Sequence, residues 1–108
     1  MTVQEVLDLI EEVKPNAYEI NAKIAWLNEC ESNLAMRTSG SQIRKIRYPD
    51  DAGRELMAPL AFEKIYVEYL SAKIDYQDQQ YQAYQNSMAV YNATETEYLK
   101  WWERHKYD

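Results

Sequence analysis

Residues 81–102, YQAYQNSMAVYNATETEYLKWW, decide how this chain folds. Positions 81, 84, 88, 91, 95, 98 and 102 follow one another at alternating gaps of three and four. They hold Tyr81, Tyr84, Met88, Tyr91, Glu95, Tyr98 and Trp102, with Leu99 and Trp101 alongside. That spacing puts side chains on one face of an α-helix, whereas a strand needs gaps of two. It predicts a helix over 80–105 carrying an aromatic stripe. Upstream, Phe62, Ile65, Tyr66, Tyr69, Leu70, Lys73 and Tyr76 trace a second face, with Ala72 at its edge. Pro59 suits the first turn of that helix, predicted over 59–76, where a missing N–H costs nothing. Extending the stripe beyond Tyr76 calls for an apolar residue at 79 or 80, and both are glutamine. The phase slips at 77–80, which predicts a turn there or, as the alternative, one long kinked helix.

Two more helices precede these. Thr2 with Glu5 forms a capping box, and Val3, Val6, Leu7, Ile10 and Val13 fall on one face of a helix over 3–14. Pro15 ends it. Asn16 with Glu19 can cap a second helix over 18–36 in the same way. Its face carries Ile20, Ile24, Leu27 and Leu34, with Trp26 and Cys30 beside them and Lys23, Glu29 and Glu31 mostly outside. Thr38-Ser39-Gly40-Ser41 is a breaker cluster, and 38–58 follows as an irregular loop. The expected fold is all-α, a single domain over 1–108 built as a bundle of about four helices.

Composition agrees. Two glycines and three prolines in 108 residues lie far below the usual share of about 7% and about 5%. A lone cysteine rules out an internal disulfide and fits a reducing compartment. No signal-peptide pattern or apolar run of about 20 residues appears, so no membrane role is expected. The net charge of −6 argues against binding nucleic acid by neutralising phosphates. Residues 1–36 carry seven acids and two bases, 37–54 two acids and five bases, and 55–108 nine acids and five bases. An acidic helical body is thus divided by a basic segment.

No pattern of catalytic or metal-binding chemistry emerges. His105 is the only histidine and sits in a helix's last turn, where positive charge suits the carbonyl end. Cys30 lies between Glu29 and Glu31, which raise rather than lower a thiol's pKa. Acid pairs such as Glu11-Glu12, Asp50-Asp51 and Glu95 with Glu97 fit a solvated face better than acid–base work. No cofactor, metal or catalytic residue is expected.

Two features point instead to protein contact. The basic segment offers Arg44, Lys45, Arg47, Tyr48 and Arg54, which suit docking on an acidic protein surface better than on nucleic acid. As a loop, 42–54 should be removable without loss of the fold. The second feature is ten tyrosines against one phenylalanine. A buried phenol needs a hydrogen-bond partner, and Tyr and Trp are enriched at interfaces. Tyr81, Tyr84, Tyr91, Tyr98, Trp101 and Trp102 are therefore expected to serve both core and subunit contact.

A resemblance narrows the expectation. Glu55-Leu56-Met57-Ala58-Pro59, Phe62-Glu63-Lys64-Ile65-Tyr66, Tyr69-Leu70-Ser71-Ala72-Lys73-Ile74-Asp75-Tyr76 and Tyr84-Gln85-Asn86-Ser87-Met88-Ala89-Val90-Tyr91-Asn92 follow in order. With Thr2 through Ile10, Lys14-Pro15-Asn16-Ala17 and Trp26-Leu27, they resemble a family of small tailed-phage and prophage proteins. These are the head–tail connector (adaptor, head-completion) proteins of siphophages infecting Gram-positive bacteria. The match covers nearly the whole chain and is poorest over 38–54. Where the family has Asn-Gly near 78–79, this chain has Asp78-Gln79.

The resemblance implies a structural protein of the virion, not an enzyme, assembled in the cytoplasm of the bacterial host. It implies a twelve-fold ring beneath the portal, with neck and tail-completion proteins docking on it and DNA passing without sequence-specific binding. The alternative is a generic helical interaction module, a phage-encoded regulator or assembly chaperone, that binds a partner through its aromatic stripe.

Overall fold

Thr2 caps the first helix as its sequence predicts: its hydroxyl accepts the Glu5 N–H at 3.1 Å and the Glu5 carboxylate accepts the Thr2 N–H at 2.9 Å. The computed structural model describes residues 1–107 and contains four α-helices. They are α1 (Val3–Val13), α2 (Ile20–Arg37), α3 (Lys64–Gln77) and α4 (Tyr81–His105), packed as a small helical bundle. Two boundaries depart from the sequence reading. Asn16 and Glu19 form no capping box, because the Asn16 side chain turns back locally, accepting the Tyr18 N–H and donating to the Lys14 carbonyl. Pro59 opens a short 3-10 turn over Leu60–Phe62 rather than the helix itself, and that turn feeds α3.

The phase slip at 77–80 is a chain reversal, not a kink. Gln79 adopts φ 60°, the left-handed conformation that closes a helix, and the Gln80 N–H bonds back to the Asp75 carbonyl at 2.9 Å. α4 consequently runs antiparallel along α3. Three aromatic pairs mark the seam: Phe62 with Tyr98, Tyr69 with Tyr91, and Tyr76 with Tyr84, at 5.4, 5.1 and 5.1 Å between ring centroids. Each column repeats every seven residues, the interval that returns a helix to nearly the same face. Such pairs contribute about 0.5–1.5 kcal/mol each beyond their buried area. α3 also packs against α1 and α2, so it is the central helix. Val6, Ile10, Leu27, Leu34, Ile65, Leu70 and Ile74 fill the core around it.

Residues 38–59 contain no helix, yet they are anchored. The first two amide groups of α1, on Val3 and Gln4, donate to the carbonyls of Arg54 and Ala52 at 3.1 and 2.9 Å. With the Thr2 hydroxyl taking the Glu5 N–H and the Glu5 carboxylate taking the Thr2 N–H, all four free N–H groups of that helix start are satisfied. Asn28 of α2 clasps Ile46 from both sides, accepting its N–H at 2.8 Å and donating to its carbonyl at 3.1 Å. Ile46, Leu56 and Ala58 are buried. The segment is thus part of the fold, and removal of 42–54, expected from sequence to leave the fold intact, would uncap α1 and open the core at Ile46.

Gln79→Gly should stabilise the chain by roughly 0.5–1 kcal/mol, because glycine has no Cβ to oppose a positive φ. Urea unfolding measures this, and a loss of stability would mean that the reversal does not depend on Gln79.

Candidate interaction site

Asp51 organises the basic segment. Its carboxylate accepts from both terminal guanidinium nitrogens of Arg44, at 3.0 and 3.2 Å, and from the Arg47 N–H at 2.7 Å. The Arg44 guanidinium, with the Arg47 amide behind it, holds the Asp51 carboxyl below the usual carboxylate range. Arg54 donates to the Arg44 carbonyl at 2.7 Å, and the Tyr48 hydroxyl donates to Gln4 at 2.8 Å. Of the five residues singled out by sequence, Arg44, Tyr48 and Arg54 are therefore committed within the chain. Lys45 and Arg47 are exposed, and among the described residues neither has a carboxylate partner. Asp51 itself is buried rather than part of a solvated acid pair.

The aromatic stripe divides. Tyr91 and Tyr98 are 3% and 1% exposed, so they belong to the chain's own core and present no surface to a subunit. Tyr84, Trp101 and Trp102 are half-buried, and Tyr81 is exposed. Tyr81 lies edge-on to Tyr76, itself exposed, at the tip of the α3–α4 hairpin. Trp101 stacks on His105 at 5.0 Å near the other end of α4. What can meet a partner is thus the two ends of the stripe, not its middle.

Three of the four buried phenols, those of Tyr66, Tyr69 and Tyr91, donate to carboxylates that the sequence assigned to solvent. Tyr66 donates to Glu31 at 2.7 Å, Tyr91 to Glu95 at 2.6 Å, and Tyr69 to Glu29 at 3.4 Å. Glu31 also accepts the Met57 N–H at 2.9 Å, while the Tyr66 oxygen accepts the Ala58 N–H at 2.9 Å. Arg37 closes the other oxygen of Glu95 at 2.7 Å. Lys23, Glu31 and Glu95 are all buried, correcting their placement outside the core. A signal existed: Lys23, Leu27, Glu31 and Leu34 continue the α2 stripe at gaps of four, four and three. Their charge obscured it.

Burial pushes the Glu31 carboxyl above its ordinary 4.5, with the Tyr66 and Met57 hydrogen bonds working against that shift. It also pushes up the thiol of Cys30, helped by the Glu31 charge. The cysteine is a core residue. Among the described residues no three His, Cys, Asp or Glu side chains converge as a metal-binding group, and no helix is long and apolar enough to cross a membrane. Compared with protein-family models, curated proteins and solved structures, the chain matches none.

Two outcomes follow for the buried node. Tyr66→Phe strands a Glu31 oxygen and the Ala58 N–H, so it should cost about 1–3 kcal/mol in denaturant unfolding. Because its folded pKa is raised, the contribution of Glu31 to stability is full below about pH 4.5 and falls as pH rises through the folded value. The difference in unfolding free energy between wild type and Glu31→Gln should move toward the variant from pH 4 to pH 8. A flat difference would mean that Glu31 titrates as in water.

Proposed function

We propose that this chain is a structural assembly protein of the head–tail connector class. In this reading it forms a ring of about twelve copies below a portal, and neck and tail-completion proteins dock on it. The observation that carries the reading is a braced basic segment on an acidic body, in a chain whose motifs over 2–10, 14–17 and 55–92 resemble that family. Lys45 and Arg47 stand outward on a backbone held by Asp51 and Asn28, which lowers the ordering cost of docking on an acidic surface. The acidic body suits a channel wall, since like charge lets DNA phosphates pass without being held. The protein acts as a surface rather than as an enzyme. Its place is the head–tail interface of the virion, after assembly in the host cytoplasm.

A helical interaction module that captures a partner through Tyr76, Tyr81 and Trp102 is the second reading. The exposed tyrosine pair at the hairpin tip favours it. Gene neighbourhood separates the two, because connector genes lie between capsid and tail genes.

Mixing the purified chain with its portal should give a ring-shaped complex in electron micrographs. Lys45→Glu with Arg47→Glu should leave the thermal midpoint near wild type and weaken complex formation at least about tenfold, as reversal of two unpaired interface charges does. Absence of any wild-type ring or complex removes the connector reading.

A further inference from the structure

A pocket of about 260 Å³ lies between α2 and the basic segment, lined by Asn21, Ile24 and Ala25 from the helix and by Lys45, Ile46 and Arg47 from the segment. It falls short of the roughly 300–1,000 Å³ usual for a small-molecule site and suits a single side chain. Ile24 and Ile46 are buried and give it an apolar floor, while Ala25, Lys45 and Arg47 are exposed around them. The lining is held in place by the chain's own bonds. Asn28 grips Ile46 by its N–H and its carbonyl, and Asp51 grips the N–H of Arg47. A wall already fixed loses little freedom when something docks on it.

Charge sets what can enter. None of the residues lining the pocket is acidic, in a chain with 18 acids against 12 bases. With carboxylates in surplus, most cations find one: Lys14, Lys23, Arg37, Arg44 and Lys73 each pair with an acid elsewhere in the chain. Among the described residues Lys45 and Arg47 do not, and both stand at the same pocket. Lys64 also lacks an ion pair, but the cleft that it lines contains Glu97. Two unpaired cations beside an apolar floor match an apolar side chain with carboxylates next to it. A nucleic-acid strand is the poorer match, because two cations neutralise few phosphates and a body at −6 repels the rest.

We infer that this pocket receives an apolar side chain from an acidic segment of a partner protein, with Lys45 and Arg47 pairing the carboxylates beside it. The inference rests on the docking role proposed above for those two cations and names what they dock on. The probe is a fluorescein-labelled peptide, Asp-Glu-Leu-Glu-Asp, followed by anisotropy at low salt and located by amide NMR shifts. It should shift Asn21, Ile46 and Arg47. It should also bind at least about fivefold more tightly than the same peptide with serine for leucine, the scale of partly burying one aliphatic side chain. Ala25→Phe fills the pocket without changing charge and should remove that preference. Lys45→Gln with Arg47→Gln should weaken both peptides and flatten their salt dependence.

No binding at millimolar peptide overturns the inference, as do equal affinities for the leucine and serine peptides. That comparison uses the wild-type chain, so it decides whether or not a variant folds. Shifts confined to other parts of the chain, or a leucine preference that survives Ala25→Phe at an unchanged thermal midpoint, overturn it too. Tighter binding of a short oligothymidylate would make the pocket a nucleic-acid site instead. The peptide test needs no portal, so the two readings fail separately. Leucine-selective binding without a portal complex removes the connector reading alone, and a portal complex without it removes this pocket's role alone.

Discussion

A carboxylate taken out of water must be hydrogen-bonded, and here that constraint falls on Glu31. It sits inside the bundle on α2, receives the Tyr66 hydroxyl from α3 and the Met57 amide from the connecting segment, and so joins three parts of the chain at one group. Sliding α2 against α3 by a turn would leave the carboxylate buried without partners, costing on the order of several kcal/mol. Hydrophobic packing alone tolerates such shifts better, because leucine can replace leucine along a stripe. At positions 66 and 91 the choice of tyrosine over phenylalanine has its reason in the same place. A phenol fills the space of a phenyl ring and also supplies the donor that an interior acid needs.

The same economy governs the long irregular segment. A helix start exposes four amide donors, and in α1 the segment's carbonyls take the first two. The segment in turn owes its shape to Asp51 and Asn28, whose side chains stand in for a missing ladder of backbone bonds. Its cations are divided by the same logic: Arg44 and Arg54 are bonded within the segment, while Lys45 and Arg47 are left over and exposed.

The helices were legible because their signals are local. Thr2 with Glu5 marked α1, and the break in register at Gln79 and Gln80 marked the end of α3. The choice between a kink and a reversal was not legible there, since it depends on one residue's positive φ. A longer pattern carried it: tyrosines at 84, 91 and 98 mirror the aromatics at 76, 69 and 62, as an antiparallel pair requires. The interior charges were missed for the opposite reason. Lys23, Glu31 and Glu95 stand in register with the apolar stripes, but composition assigns charge to solvent by default. Of the candidate contact residues, position in the chain identified the segment. Which cations remain free depended on Asp51, a partner that sequence spacing cannot rank.

The mirrored columns of rings also constrain how this chain can change in length. An added residue inside α3 or α4 would turn every later side chain by about 100° and take the remaining rings out of line with their partners. Seven added residues would preserve the facing side but need a matching seven on the opposite helix. The reversal at Asp78–Gln80 lies outside both columns, so insertions there leave the pairing intact. Length variants of this hairpin should therefore differ by loop residues or by paired sevens, and the spacing of its rings is the ruler by which they can be aligned.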